Sequence, residues 1–300
     1  MTGSRGSPTF LVTGGSGQIG YELVRELAPL GRVVAPTRAE LDVADATAVR
    51  SYVRRLRPAV IVNAAAYTAV DQAEGDAERC RALNATAPEV LAQEAAAGGA
   101  VFVHYSTDYV FDGEKGAPYT EDDAASPLQA YGRAKLLGEQ AVRAAGGSHL
   151  ILRTSWVYGS RRHNFLRTVL RLSREARQLR VVDDQFGAPT WSRLVAAATA
   201  QILAPHGTHP AGARVAEAPG ICHLTAGGRA SWAEFAEAIL ELDPRRGEQR
   251  CGGVSRVSSA DYAASAPRPR NSLLDNGKLR AQFGLVLPHW RTQLLLAVES

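Results

Sequence analysis

Apolar residues in the first half of the chain come in short runs, separated by stretches with helical spacing. The run at 10–13 predicts a buried strand. Ile19, Leu23, Val24 and Leu27 then share one helical face and predict a helix over 17–30. The same alternation predicts strands at 33–35, 60–63, 101–104 and 150–153. It predicts helices at 46–56 and 128–144, and one or two helices within 70–97. Short, wholly apolar strands alternating with helices mark a parallel sheet covered on both faces. With right-handed crossovers this is an α/β fold, a doubly wound sheet of the Rossmann type.

Past Trp156 the rhythm loosens. Helices are predicted at 164–175 and 192–203, and a linker rich in Pro, Gly and His at 204–220. A further helix is predicted at 231–240, with Ser231 as N-cap and Glu234 completing a capping box. Two prolines one residue apart make 267–272 an extended loop. The expected division is a nucleotide-binding domain over 1–155, with a returning segment near 191–218. A smaller mixed domain over 156–190 and 219–300 would take the substrate.

Composition narrows the class. A chain of 300 residues, 45% hydrophobic and 21% charged, is an ordinary globular protein of about two domains. No apolar run approaches the length of a membrane span, and residues 1–8 lack the apolar core of a signal peptide. Three cysteines without a C-x-x-C pair argue against a disulfide framework or zinc site and point to a reducing cytoplasm. The net charge of +4 is spread among acids, with no basic block or aromatic series. Neither nucleic acid nor membrane is therefore expected as a partner.

The turn Thr13-Gly14-Gly15-Ser16-Gly17-Gln18-Ile19-Gly20 joins the first strand to the first helix. Gly14, Gly17 and Gly20 would let the backbone approach a pyrophosphate at a helix N-terminus, where Gln18 and Ile19 begin the helix. No acid stands at the tip of the second strand to read a ribose 2′-hydroxyl. Arg38 stands there instead, and Asp42 comes slightly later. This favours NADPH, with NADH usable.

Tyr131 and Lys135 lie four apart, on one face of the 128–144 helix. A tyrosine exchanges protons near neutrality only if its phenolate is stabilised, and an adjacent ammonium supplies that. Lys135 is one of three lysines in a chain that otherwise uses Arg, a poor substitute for a compact ammonium. Ser106, Thr107 and Asp108 follow the 101–104 strand, at the sheet edge where ligands sit. A hydroxyl there could hold a substrate carbonyl.

With these residues the chain resembles the extended short-chain dehydrogenase/reductase family. The likeness extends through Val62-Asn63-Ala64-Ala65-Ala66-Tyr67, His104-Tyr105-Ser106-Thr107-Asp108-Tyr109 and Arg153-Thr154-Ser155-Trp156. It continues at Asp184-Gln185-Phe186-Gly187-Ala188-Pro189-Thr190 and Arg268-Pro269-Arg270-Asn271-Ser272. The resemblance implies a nucleotide-sugar ketoreductase that uses NADPH to reduce the C4 ketone of dTDP-4-dehydro-L-rhamnose. It implies Thr107, Tyr131 and Lys135 as the catalytic set. Asn63, Ala64, Ala65 and Tyr67 would line the cofactor, with Asp42 and Val43 near the adenine. Asp108, Trp156, Asn164 and Arg268 would hold the nucleotide-sugar, and Asn84 would be structural. A 4-ketoreductase of other stereochemistry and a non-catalytic NADP-binding regulatory subunit are the alternatives. Some relatives dimerise through a magnesium ion held by glutamates. Here that neighbourhood reads Trp191-Ser192-Arg193-Leu194, so no metal is expected, and a monomer or weak homodimer is.

Overall fold

A computed structural model describes residues 7–262 and 265–299. Residues 1–6, most of the segment read above as lacking a signal peptide, lie outside the described residues. The chain runs β1 (Thr9–Thr13), α1 (Gln18–Leu27), β2 (Arg32–Val34), α2 (Ala46–Leu56) and β3 (Val60–Asn63). It continues through α3 (Ala77–Arg81), a π-helical turn at Ala82–Thr86, α4 (Ala87–Gly98), β4 (Val101–Thr107), α5 (Ala130–Ala145) and β5 (His149–Thr154). Then come β6 (Val157–Tyr158), α6 (Phe165–Glu175), β7 (Leu179–Val182), β8 (Phe186–Gly187), β9 (Thr190–Trp191) and α7 (Ser192–Leu203). The rest is α8 (Ala213–Glu217), β10 (Gly220–His223), β11 (Ala230–Ser231), α9 (Trp232–Leu242), β12 (Val254–Val257), α10 (Gly277–Phe283) and α11 (Trp290–Val298).

Six parallel strands form the central sheet in the order β10-β5-β4-β3-β1-β2. Successive residues on each strand feed opposite faces. Phe10, Val12, Val60, Val62, Val103 and Leu152 pack with α1, α7 and α10. Leu11, Ile61, Phe102 and Ile151 pack with α2, α4 and α5. Period-two alternation with both faces apolar is what a sheet covered on two sides requires. The chain leaves β1 for β2 on one side and returns to β3 on the other. That reversal opens a crevice at the carboxyl ends of β1 and β3.

A separate core gathers Tyr158, Leu166, Val169, Phe235, Ile239 and Trp290 from the later elements. The predicted capping box is present, since Ser231 accepts from Glu234 N–H and Glu234 accepts from Ser231 N–H.

Three expectations need correction. The strand β4 runs on to Thr107 instead of ending at His104, because β5 pairs with it as far as Thr107 opposite Thr154. Within 204–220 a short helix, α8, forms and buries Val215 in the sheet's core. Beyond 219, β10 pairs with β5 as the sixth strand of the main sheet, and Leu279 and Phe283 of α10 pack in the core beneath it. A boundary at 219 therefore does not follow the sheet.

Candidate active site

A cleft of about 890 Å³ opens at the carboxyl end of the sheet. The glycine turn forms its floor. Gly14 has φ +70, and a Cβ there would come within 2.5 Å of the Ala65 nitrogen. At Gly20 a Cβ would meet the Gly14 carbonyl oxygen at 2.1 Å. Glycine at these positions brings turn, helix and the neighbouring loop together. Gly17 caps α1 without a side chain, and the first turn carries no acid, so the helix N-terminus faces the cleft uncapped. Gln18 and Ile19 line the cleft, as do Ala64 and Ala65.

Asn63 lies beneath the surface. Its Oδ1 accepts from the Thr13 hydroxyl at 2.6 Å and from Ala65 N–H at 3.2 Å, which fixes the loop after β3 against β1. Tyr67 is not among the cleft-lining residues. Its backbone is clamped by Asn84, which accepts from Tyr67 N–H and donates to Tyr67 carbonyl. Asn84 is wholly buried in the π-helical turn, which packs against α5 at Gly138. Its structural role is thus visible.

Arg38, Asp42 and Val43 line one end of the cleft. Arg38 forms an exposed ion pair with Asp42 at 3.1 Å. The hydrogen bond from Ala44 N–H and the Arg38 guanidinium hold the Asp42 carboxyl below its usual range. A phosphate at Arg38 would share the guanidinium with Asp42.

Thr107, Tyr131 and Lys135 converge on the same cleft. The Thr107 hydroxyl donates to Asp108 at 2.9 Å and accepts from Tyr109 N–H. Burial raises the Asp108 carboxyl to about 6. Desolvation, then the Asp108 charge, push the Tyr131 phenol well above its ordinary value, with Thr107 opposing. Lys135 is turned to the sheet and donates to the Tyr105 carbonyl. Burial lowers Lys135 to about 8.

The opposite wall comes from the later elements. Trp156 holds φ +47, a strained value for a bulky residue, and stacks on Trp232 with ring centroids 3.5 Å apart. Gly187 permits this, since a Cβ there would strike the Trp156 ring at 2.4 Å. Asn164 caps α6 and donates to Gln18 at 3.0 Å, so its amide joins the two sides of the cleft. Arg268 does not line the cleft. It forms a bidentate pair with Asp71 at 2.7 and 2.6 Å, which holds the Asp71 carboxyl far below its usual range.

Sequence reasoning missed several residues here. Trp232 faces the cleft from the start of α9. Arg162 reaches across to the glycine turn and donates to the Ser16 carbonyl and hydroxyl, both at 2.9 Å. Buried hydroxyls of Ser106 and Thr154 line the cleft without a protein partner. Ser106 carried a signal, since it stands at the end of the 101–104 strand, whereas Trp232 and Arg162 carried none.

Comparison with known proteins settles the family. The RmlD substrate binding domain family matches residues 9–300. A dTDP-4-dehydrorhamnose reductase of Burkholderia thailandensis is 45% identical over 293 residues, covering 97% of this chain and 98% of the relative. This chain belongs to the dTDP-4-dehydrorhamnose reductase family. Another member, from Escherichia coli K12, is 41% identical over 94% of both chains. The dTDP-4-dehydrorhamnose reductase of Bacillus anthracis, solved in complex with NADP, superimposes with a TM-score of 0.89 at 31% identity. It covers 98% of this chain and 100% of its own. The two chains share one fold over nearly their whole length.

Proposed function

We propose that the protein reduces the C4 ketone of dTDP-4-dehydro-L-rhamnose with NADPH, giving dTDP-L-rhamnose. The observation that carries this reading is the convergence of Thr107, Tyr131 and Lys135 on the cleft floored by the glycine turn. The family and its NADP-bound member support the cofactor and the substrate class.

The residues present fit a dinucleotide. Gly14 and Gly20 leave room that a Cβ would fill, and the uncapped N-terminus of α1 suits a pyrophosphate. Gly14, Gly17, Gln18, Ile19, Ala64 and Ala65 would hold it, with Arg38, Asp42 and Val43 at the adenosine end. Asn63 would act from beneath, by fixing the loop. When bound, the cofactor supplies the hydride.

Tyr131 protonates the oxygen as the ketone becomes an alkoxide. Desolvation and Asp108 keep the Tyr131 phenol protonated, the form a general acid starts from, and the phenolate it leaves needs a nearby positive charge. Thr107, by turning its hydroxyl proton from Asp108, donates to the same oxygen, where negative charge grows. Asp108 and the unpartnered hydroxyls of Ser106 and Thr154 offer contacts to sugar hydroxyls. The Trp156–Trp232 stack gives the substrate an apolar wall. Arg268 would meet a diphosphate only by exchanging Asp71 for it. We read residues 1–155 with 191–223 as the cofactor side, and the protein as a metal-independent monomer or weak homodimer of the cytoplasm.

The test is a coupled assay. Purified protein is given dTDP-4-keto-6-deoxyglucose, a 3,5-epimerase and NADPH. The expected result is loss of NADPH absorbance with dTDP-L-rhamnose as product. A different epimer would favour the other ketoreductase reading, and no oxidation at all would contradict the assignment.

A further inference from the structure

The loop between β6 and α6 reaches back to the glycine turn from the opposite wall of the cleft. Arg162 Nε donates to the Ser16 carbonyl and Arg162 Nη2 to the Ser16 hydroxyl, both at 2.9 Å, across 146 positions of sequence. Beside it, the Arg161 guanidinium lies 3.6 Å over the Tyr21 ring of α1, and Asn164 donates to Gln18. Arg162 holds φ +61, a backbone conformation that glycine takes freely and a long side chain rarely. Such strain persists where the surrounding structure holds it, and it concentrates at ligand clamps. Arg161, Arg162 and Arg167 join Ser16 and Ser160 around a hollow of about 310 Å³ beside the cleft. No acid is among the described residues that line it, so nothing in that lining cancels the three positive charges.

A guanidinium carries five N–H donors in a planar fork. The Nε–Nη2 side of Arg162 is occupied by Ser16, which leaves the Nη1–Nη2 end without an acceptor among the described residues. Arg162 also lines the main cleft together with Ser16, Gly17 and Gln18, where the N-terminus of α1 opens. We propose that Arg162 is a cofactor-binding residue, whose free end donates to the pyrophosphate of the dinucleotide seated on the glycine turn. The chemistry suits that group. A helix N-terminus offers single backbone N–H donors, whereas a guanidinium end matches two phosphate oxygens at once. Ser16 holds the other side of the fork before the ligand arrives, so less side-chain freedom is lost on binding. Arg167, whose Nη1 donates to the Arg162 carbonyl at 3.5 Å, adds positive charge at the same place. The 2′-phosphate is a separate matter, left to Arg38 past the end of β2. This inference rests on the reading of the glycine turn as the cofactor's seat. Its test measures binding and needs no turnover.

Isothermal titration calorimetry of the purified protein with NADPH and with NADH, at several salt concentrations, tests the proposal. Arg162→Asn removes the guanidinium and keeps a residue type that tolerates the left-handed backbone. Both dinucleotides carry the pyrophosphate, and in NADH it is the only negative charge. Arg162→Asn should therefore weaken NADPH and NADH alike, by about tenfold, the worth of one charge-assisted contact. The affinity of the variant for NADH should also fall less steeply with added salt than that of the wild type, because a screened charge contact is gone. A loss confined to NADPH would place Arg162 at the 2′-phosphate and overturn the proposal. Equal losses with parallel salt dependence would mean that Arg162 only ties its loop to Ser16, and would also overturn it, as would affinities within about twofold of the wild type. Wild-type protein that binds neither dinucleotide would overturn the reading of the glycine turn itself, and the proposal with it.

Discussion

At the scale of single residues, side chains that the sequence marked for ligands are found held by other side chains of the protein. Arg38 is tied to Asp42, Arg268 to Asp71 and Asn164 to Gln18. An exposed ion pair is worth about 0–1 kcal/mol, so a phosphate can compete for Arg38. A charge-assisted contact to the 2′-phosphate is worth about 1.5–3 kcal/mol, or tenfold and more in selectivity. Arg38→Ala should therefore erode the preference for NADPH by about tenfold and leave the NADH rate alone. Steady-state rates with each cofactor check this, and an unchanged ratio would assign the phosphate to another residue. That Thr107, Tyr131 and Lys135 meet in one cleft was legible, because Tyr131 and Lys135 sit at helical spacing and Thr107 at a strand end. Their pairings were not. Asp71 and Arg268 are 197 positions apart, and no periodicity connects them.

Among elements, α5 bears the most on the site, since it carries both Tyr131 and Lys135. Arg153 of β5 reaches Glu139 with two bonds, at 2.8 and 2.6 Å, and both side chains are buried. Removing one partner leaves an uncompensated buried charge, typically at about 3–5 kcal/mol. Glu139→Ala should lose stability on that scale and loosen the seat of α5. Urea unfolding checks it, and a loss under about 1 kcal/mol would show that the pair is not holding the helix. Elements with strong apolar periodicity, such as 46–56 and 192–203, were legible to the residue. The 70–97 region was not. It breaks into short helices around a π turn, set by the fit of Asn84 against Tyr67 and Gly138. That fit is tertiary, and local propensity carries no trace of it. The strand β10 was hidden for a similar reason. Its four residues, Gly-Ile-Cys-His, follow a Pro- and Gly-rich stretch and gain strand character only by pairing with β5.

Across the whole molecule, buried titratable groups set the dependence of stability on pH. Burial holds His104 well below 6.5 and His223 at about 3. Unfolding frees both to bind protons, so their stabilisation is complete above pH 6.5 and is lost as pH falls. Asp108 works the other way. Raised to about 6 from 3.8, it keeps a proton that the unfolded chain gives up, which favours the fold increasingly as pH falls from 6 to 4. Two groups outweigh one. Between pH 7 and 5 the unfolding free energy should drop by on the order of 2 kcal/mol. Urea titrations at the two pH values decide this, and a flat profile would show that the histidines are not buried neutral.

No helix among the described residues is long and apolar enough to cross a membrane, and no group of three His, Cys, Asp or Glu there is placed to hold a metal. Arg193 stands three residues past Thr190, the end of the Gly-Ala-Pro-Thr block, and lies over the Trp191 ring. Treatment with EDTA should leave NADPH oxidation unchanged, and light scattering should give the mass of one chain or a weak dimer. A rate lost to EDTA and restored by magnesium would contradict metal independence.

The central claim is that Tyr131, in the cleft it shares with the glycine turn, gives the proton that completes reduction of the sugar ketone. Single-turnover reduction of dTDP-4-dehydro-L-rhamnose by Tyr131→Phe, with NADPH affinity measured alongside by fluorescence titration, tests it most directly. The account predicts turnover lowered by roughly 10²–10⁴, with NADPH affinity nearly unchanged. A phenylalanine variant that turns over at close to the wild-type rate would contradict it.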